Sequence, residues 1–137
     1  MKDKHLKLLQ RYDFEKPNFE KYEKNNIQVK QDKETKAWSL YIDKKEARTV
    51  DRFFVSCFSY MAMTDIAFGT TAIKGWGLGE IPNWLRFKPQ VREVTVIEPN
   101  IDIIDYHEKV NTDMWGSVNM IQTRSLSFGM KCDVLLL

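Results

Sequence analysis

From Ile27 the chain alternates, with Ile27 and Val29 apolar, a polar stretch from Asp32 to Lys36, and then Trp38, Leu40 and Ile42 apolar again. A period of two places these side chains on one face and predicts a β-hairpin. Asp43-Lys44-Lys45-Glu46 reads as a second turn, with a third short strand over Ala47 to Val50. The period then changes: Asp51 precedes Phe53, Phe54, Phe58 and Met61, as an N-cap precedes a helix whose aromatic stripe belongs to the core. Past Phe68-Gly69, a β-branched strand from Thr70 runs into Gly75-Trp76-Gly77-Leu78-Gly79. A short helix follows from Ile81 to about Phe87, opened by Glu80 with Pro82 in its first turn and ended by Pro89. Trp84 and Leu85 are expected to pack on the sheet. Val91 to Glu98 reads as a buried strand, Pro99-Asn100 as a turn, and Ile101, Ile104 and Tyr106 or His107 as one face of a second helix. Strands over Val118 to Gln122 and Asp133 to Leu137 complete the series. Strands alternating with helices predict an α/β fold, in which an N-terminal hairpin precedes a mostly parallel sheet with right-handed crossovers.

The first 26 residues interleave Lys, Glu, Asp and Asn with irregularly spaced apolar residues, so a solvated, partly docked extension is expected there, with a short helix over Lys4 to Tyr12. At 137 residues the chain is expected to form one unit with its own core. A net charge of +2 gives no basis for a nucleic-acid surface. The apolar runs are far shorter than the roughly 20 residues of a membrane helix, and MKDKHLKLLQ lacks a signal-peptide core, so a cytoplasmic location is expected. Cys57 and Cys132 read as reduced, buried thiols. No His, Cys or carboxylate cluster has metal-ligand spacing, and no nucleophile elbow is present.

Candidate chemistry gathers at the glycine turn. Glycines between a strand and a helix let the backbone approach a ligand closely, and the helix start offers amide N–H groups. The strand from Val91 ends on Glu98, about 20 positions beyond the glycines, where nucleotide-binding βαβ units place the acid that receives ribose hydroxyls. Together the two signals point to a nucleotide or nucleoside. Each acid also has a plainer reading: Glu98 as a cap of the turn after it, and Glu80 as a cap of its own helix rather than a contact for a ligand amine. His107, beside Asp105 and Glu108, reads as a surface histidine, and Asp133 as a solvated strand end.

The hairpin IQVKQDKETKAWSLYID, followed by AIKGWGLGEIP, VREVTVIEPNIDIIDYH and CDVLLL, resembles the N-terminal half of spermidine synthase-like proteins, the aminopropyltransferase branch of the class I S-adenosylmethionine-dependent methyltransferase fold. The resemblance covers Ile27 to Leu137. It implies an N-terminal extension over 1–26, a β-hairpin region over 27–50 and a truncated Rossmann-like nucleoside-binding core over 51–137. It further implies that S-adenosylmethionine or its decarboxylated form lies over Gly75, Trp76, Gly77, Leu78, Gly79 and Glu80, with Glu98 on the ribose hydroxyls and Pro99 behind it. A methyl or aminopropyl transfer is the implied reaction.

The chain departs from that family at several positions. Leu78 stands where the family's turn carries an acid, Gln122-Thr123-Arg124-Ser125 lacks the acid that meets adenine, and Phe53-Phe54-Val55-Ser56 lacks the Tyr-His pair. The family's catalytic Asp follows the fourth strand, past Leu137. These departures support the alternative of a non-catalytic assembly protein. Val134 to Leu137 reads as an interior strand apolar on both faces, which predicts a homo-oligomer or a partner chain that completes the sheet. The link Arg124 to Lys131 is short for a parallel crossover, which takes about a dozen residues or more.

Overall fold

The computed structural model describes residues 17–50, 64–114, 116–122 and 132–136. The expected helix over Lys4 to Tyr12, the Asp51 cap with its aromatic stripe, Cys57, and the link Arg124 to Lys131 lie outside the described residues. The fold is mixed α/β, with one antiparallel and one parallel sheet of four strands each.

The antiparallel sheet runs in chain order, β1 (Tyr22–Lys24), β2 (Ile27–Gln31), β3 (Trp38–Ile42) and β4 (Lys45–Val50). Its inward positions Ile27, Val29, Leu40 and Val50 are buried in the core, as the alternation predicts. Two boundaries differ from the sequence reading. β1 lies inside the stretch read as an extension; its residues are polar because it is an edge strand with one side to solvent. β4 begins at Lys45 because the turn before it needs only Asp43 and Lys44, with φ of 52° and 65°. Two successive positive φ values are what a two-residue hairpin with right-handed strand twist requires.

The parallel sheet comprises β5 (Gly69–Lys74), β6 (Val91–Ile97), β7 (Val118–Ile121) and β8 (Val134–Leu136), ordered β7-β6-β5-β8. Helix α1 (Glu80–Arg86) joins β5 to β6. Helix α2 (Ile101–Val110) and a 3-10 turn (Thr112–Met114) lie between β6 and β7. Thr71, Ala72, Ile73, Val94, Val96 and Ile97 are buried, as inner parallel strands require. Trp84 and Leu85 of α1 are buried as expected. On α2 the buried set is Asp102, Ile103, Ile104, Tyr106, His107 and Val110, whereas Ile101 is exposed. Ile101 opens the helix on its outer side, one position ahead of the inward stripe. β8 pairs with β5 at the opposite edge from β7, so among the described residues it is an edge strand and not an interior one, with Leu135 exposed.

The two sheets are tied through α2 and the glycine turn. The Asn18 amide N–H donates to Asn111 Oδ1 at 2.7 Å, Lys24 Nζ meets Asp105 at 2.6 Å, and Asn25 donates to Asp102 at 3.0 Å. Tyr22 packs edge-on to Tyr106, and Phe19 stacks on Trp38. No helix among the described residues is long and apolar enough to cross a membrane.

Lys44 holds a left-handed φ that costs a non-glycine residue about 1 kcal/mol. Lys44→Gly is therefore expected to raise stability by about 0.5–1 kcal/mol in urea denaturation; a loss of stability would contradict the turn geometry.

Candidate functional site

Strand β5 ends at Lys74, and the Gly75 amide still donates to the Ile97 carbonyl at 2.8 Å, keeping the turn in register with β6. Gly75 (φ 88°) and Gly79 (φ 89°) are left-handed, as the fold of the turn demands. At Gly79 a Cβ would also stand 3.0 Å from the His107 ring and 3.2 Å from the Met114 methyl. The Gly79 amide closes the turn on the Trp76 carbonyl at 2.9 Å, and its carbonyl receives the Asn83 amide to start α1.

Glu98 follows β6 directly, its amide bonded to the Ile121 carbonyl at 2.9 Å. Glu98 is 5% exposed and its carboxylate accepts one backbone amide at each oxygen: Oε1 from Trp76 at 2.9 Å and Oε2 from Asn100 at 3.1 Å. Asn100 in turn caps α2, its Oδ1 accepting from the Asp102 amide at 2.9 Å. One carboxylate thus fixes the loop after β5 to the start of the helix after β6, through bonds stronger than neutral pairs.

Glu80, 2% exposed, pairs with the Arg48 guanidinium of β4 through Oε1, while its Oε2 has no hydrogen-bond partner among the described residues. Burial pushes the Glu80 carboxyl above the usual carboxylate range, opposed by the Arg48 charge. The Arg48 stem passes over the turn, its Cγ 3.8 Å from where a Gly77 Cβ would be.

On the turn's other side, His107 is fully buried and stacks on Trp76 at 4.7 Å between ring centroids. Its Nε2 lies 2.9 Å from the Gly77 carbonyl, which can only accept, so Nε2 carries the proton and Nδ1 accepts from Asn111 Nδ2 at 3.1 Å. Asn111 also bonds both backbone groups of Asn18, at 2.7 and 3.1 Å. A connected polar chain therefore runs from the N-terminal segment to the glycine turn.

Of the residues expected to line a ligand, Gly75 and Gly77 are half-buried and Pro99 is exposed. Trp76 and Leu78 are core side chains that contribute backbone alone to the turn's surface. Glu80 is neither a cap nor free for a ligand amine as it stands, because no side chain caps α1 and Arg48 holds the carboxylate. His107 is not a surface residue, contrary to expectation: burial on α2 beneath the turn places it at the centre of the site. Asp133, at the far end of β5, accepts from the Thr70 amide at 2.9 Å and lies away from the glycine turn. Cys132 is half-buried and unbridged, and no group of His, Cys, Asp or Glu among the described residues is arranged to hold a metal. Thr123, Arg124 and Ser125, read as lacking the adenine-contacting acid, lie outside the described residues. Arg48 and Asn111 escaped the sequence reading, and Asn100 reads there only as part of a turn, although an Asn just before a helix signals a cap. Arg48 shares the inward period of Val50 two positions on.

No family model, curated protein or solved structure matches the chain.

Burial lowers the His107 pKa from 6.5 to about 4, and the Gly77 carbonyl opposes this only in part. Between those values the unfolded chain takes up a proton that the fold refuses. Stability is expected to fall as pH drops through this window, by roughly 3 kcal/mol in all. Urea denaturation at successive pH values checks this, and a flat profile would contradict a buried neutral histidine.

Proposed function

We propose that the chain binds a nucleoside at the carboxyl ends of β5 and β6, and that the ligand is S-adenosylmethionine or its decarboxylated relative. The observation that carries the reading is the Trp76 amide held on the Glu98 carboxylate at 2.9 Å. It brings the left-handed glycine turn after the first parallel strand against the acid after the second. The strands stand 3-2-1-4 in order of appearance, so the strand order reverses at β5, and open α/β sheets take their ligands at the carboxyl ends beside such a reversal. A Rossmann-like, methyltransferase-type core accounts for this order. Each Glu98 oxygen keeps a second lone pair, enough for the two hydroxyls of a ribose. In-line transfer of a methyl or aminopropyl group from a sulfonium asks of the protein chiefly position, since the leaving group is already activated.

A second reading, an assembly protein that reuses the fold without a ligand, is supported by the engagement of both Glu98 oxygens within the chain. The β8 edge with its exposed Leu135 offers such a protein a place to pair with another chain.

Equilibrium dialysis against S-adenosylmethionine, decarboxylated S-adenosylmethionine and methylthioadenosine separates the two. The first reading predicts saturable binding, weakened about tenfold or more in Glu98→Gln, which keeps an acceptor for the turn but loses the charge. Absence of binding at millimolar ligand, with a concentration-dependent dimer in sedimentation, would favour the second.

A further inference from the structure

We infer that His107, Asn111 and Asn18 form a proton-operated latch: residues 17–20 dock on α2 only while the His107 ring is neutral, and protonating the ring releases them. This coupling is set by the chain's own groups, whatever the glycine turn binds. Backbone fixes the polarity of the relay at both ends. At one end the Asn18 amide N–H donates to Asn111 Oδ1 at 2.7 Å, and the Asn18 carbonyl accepts from Asn111 Nδ2 at 3.1 Å, so the Asn111 amide can face only one way. The same Nδ2 donates to His107 Nδ1 at 3.1 Å, which must therefore carry no proton. At the other end the Gly77 carbonyl, 2.9 Å from Nε2, requires that nitrogen to donate. Both ends demand the same neutral tautomer.

A second proton on the ring has to sit on Nδ1, against the Asn111 NH2 group. Turning the Asn111 amide over brings Oδ1 to the new N–H, but it also sets Nδ2 against the Asn18 N–H and Oδ1 against the Asn18 carbonyl. That exchange keeps one bond to the ring and loses both bonds to Asn18, so the imidazolium and a docked Asn18 exclude each other. His107 and Asn111 are both buried, and the titratable groups on the elements around them are engaged elsewhere. Tyr106, edge-on to the ring at 4.9 Å, has its pKa pushed up to about 12 by burial, and its hydroxyl accepts from the Glu20 amide at 3.3 Å. On the turn, Glu98 is held by the Trp76 and Asn100 amides and Glu80 by Arg48. Asp102 and Asp105 of α2 meet Asn25 and Lys24, and Asp113 of the 3-10 turn meets Arg86. Glu20, Lys21, Glu108 and Lys109 are exposed. Among the described residues no charged side chain hydrogen-bonds the ring. Docked, the ring has a pKa of about 4 against an ordinary 6.5, so release sets in between those values as pH falls. The coupling is reciprocal, and docking of residues 17–20 helps to hold the ring neutral.

Amide-resolved hydrogen exchange of the full chain from pH 7 to pH 4, corrected for the intrinsic pH dependence of exchange and read beside the His107 ring resonances, tests this. The Asn18 amide is expected to lose protection by about tenfold or more across that range, in step with protonation of the ring, while the β5 and β6 amides stay protected. In His107→Phe, which keeps a ring against Trp76 but cannot titrate, the change at Asn18 is expected to shrink to about threefold or less. A His107 ring that titrates while the Asn18 amide keeps its protection overturns the inference, and this outcome is read in the unaltered chain whether or not the variant folds. So does a pH dependence at Asn18 that persists undiminished in His107→Phe.

Discussion

The bond from the Trp76 amide to the Glu98 carboxylate is the constraint on which the rest of the site depends. It joins the loop after β5 to the residue after β6, and the second oxygen of the same carboxylate carries on to Asn100 and the start of α2. A buried carboxylate is costly unless hydrogen-bonded, and here two backbone amides offset that cost while being satisfied themselves. Loss of the carboxylate would release both loops at the carboxyl edge of the sheet, which is the edge where the candidate site lies.

Around that bond the glycine turn is gripped from two directions. Arg48 reaches it from the antiparallel sheet and pairs with Glu80, and His107 reaches it from α2, holding the Gly77 carbonyl and stacking on Trp76. Through Asn111 the second grip extends to Asn18 in the N-terminal segment. The antiparallel sheet is thus joined to the turn through Arg48, and the segment before β1 through Asn18.

How far the sequence disclosed this depends on the range of the interaction. Periods of two and the glycine cluster depend on local chemistry, and β2, β3, β5, α1 and β6 appear within a residue or two of expectation. β1 was hidden because an edge strand needs little apolar content. The place of β8 beside β5 was hidden because strand order is set by long-range packing, not by any local pattern. At the site, Gly75 to Gly79 and Glu98 were visible as types at a spacing. What they bond to was not, because Arg48 lies 32 positions from Glu80 and His107 lies 30 positions from Gly77. A histidine flanked by acids looks solvated in one dimension; only the stacking of Trp76 on its ring shows otherwise.

The most direct measurement is an amide-resolved nuclear magnetic resonance titration of the nitrogen-labelled chain with S-adenosylmethionine. The account predicts saturable shifts at the Gly75, Trp76, Gly77 and Asn100 amides, which bracket Glu98, with little change along β1 and β2. Shifts that never saturate, or that fall away from these four amides, would contradict a nucleoside site at the glycine turn.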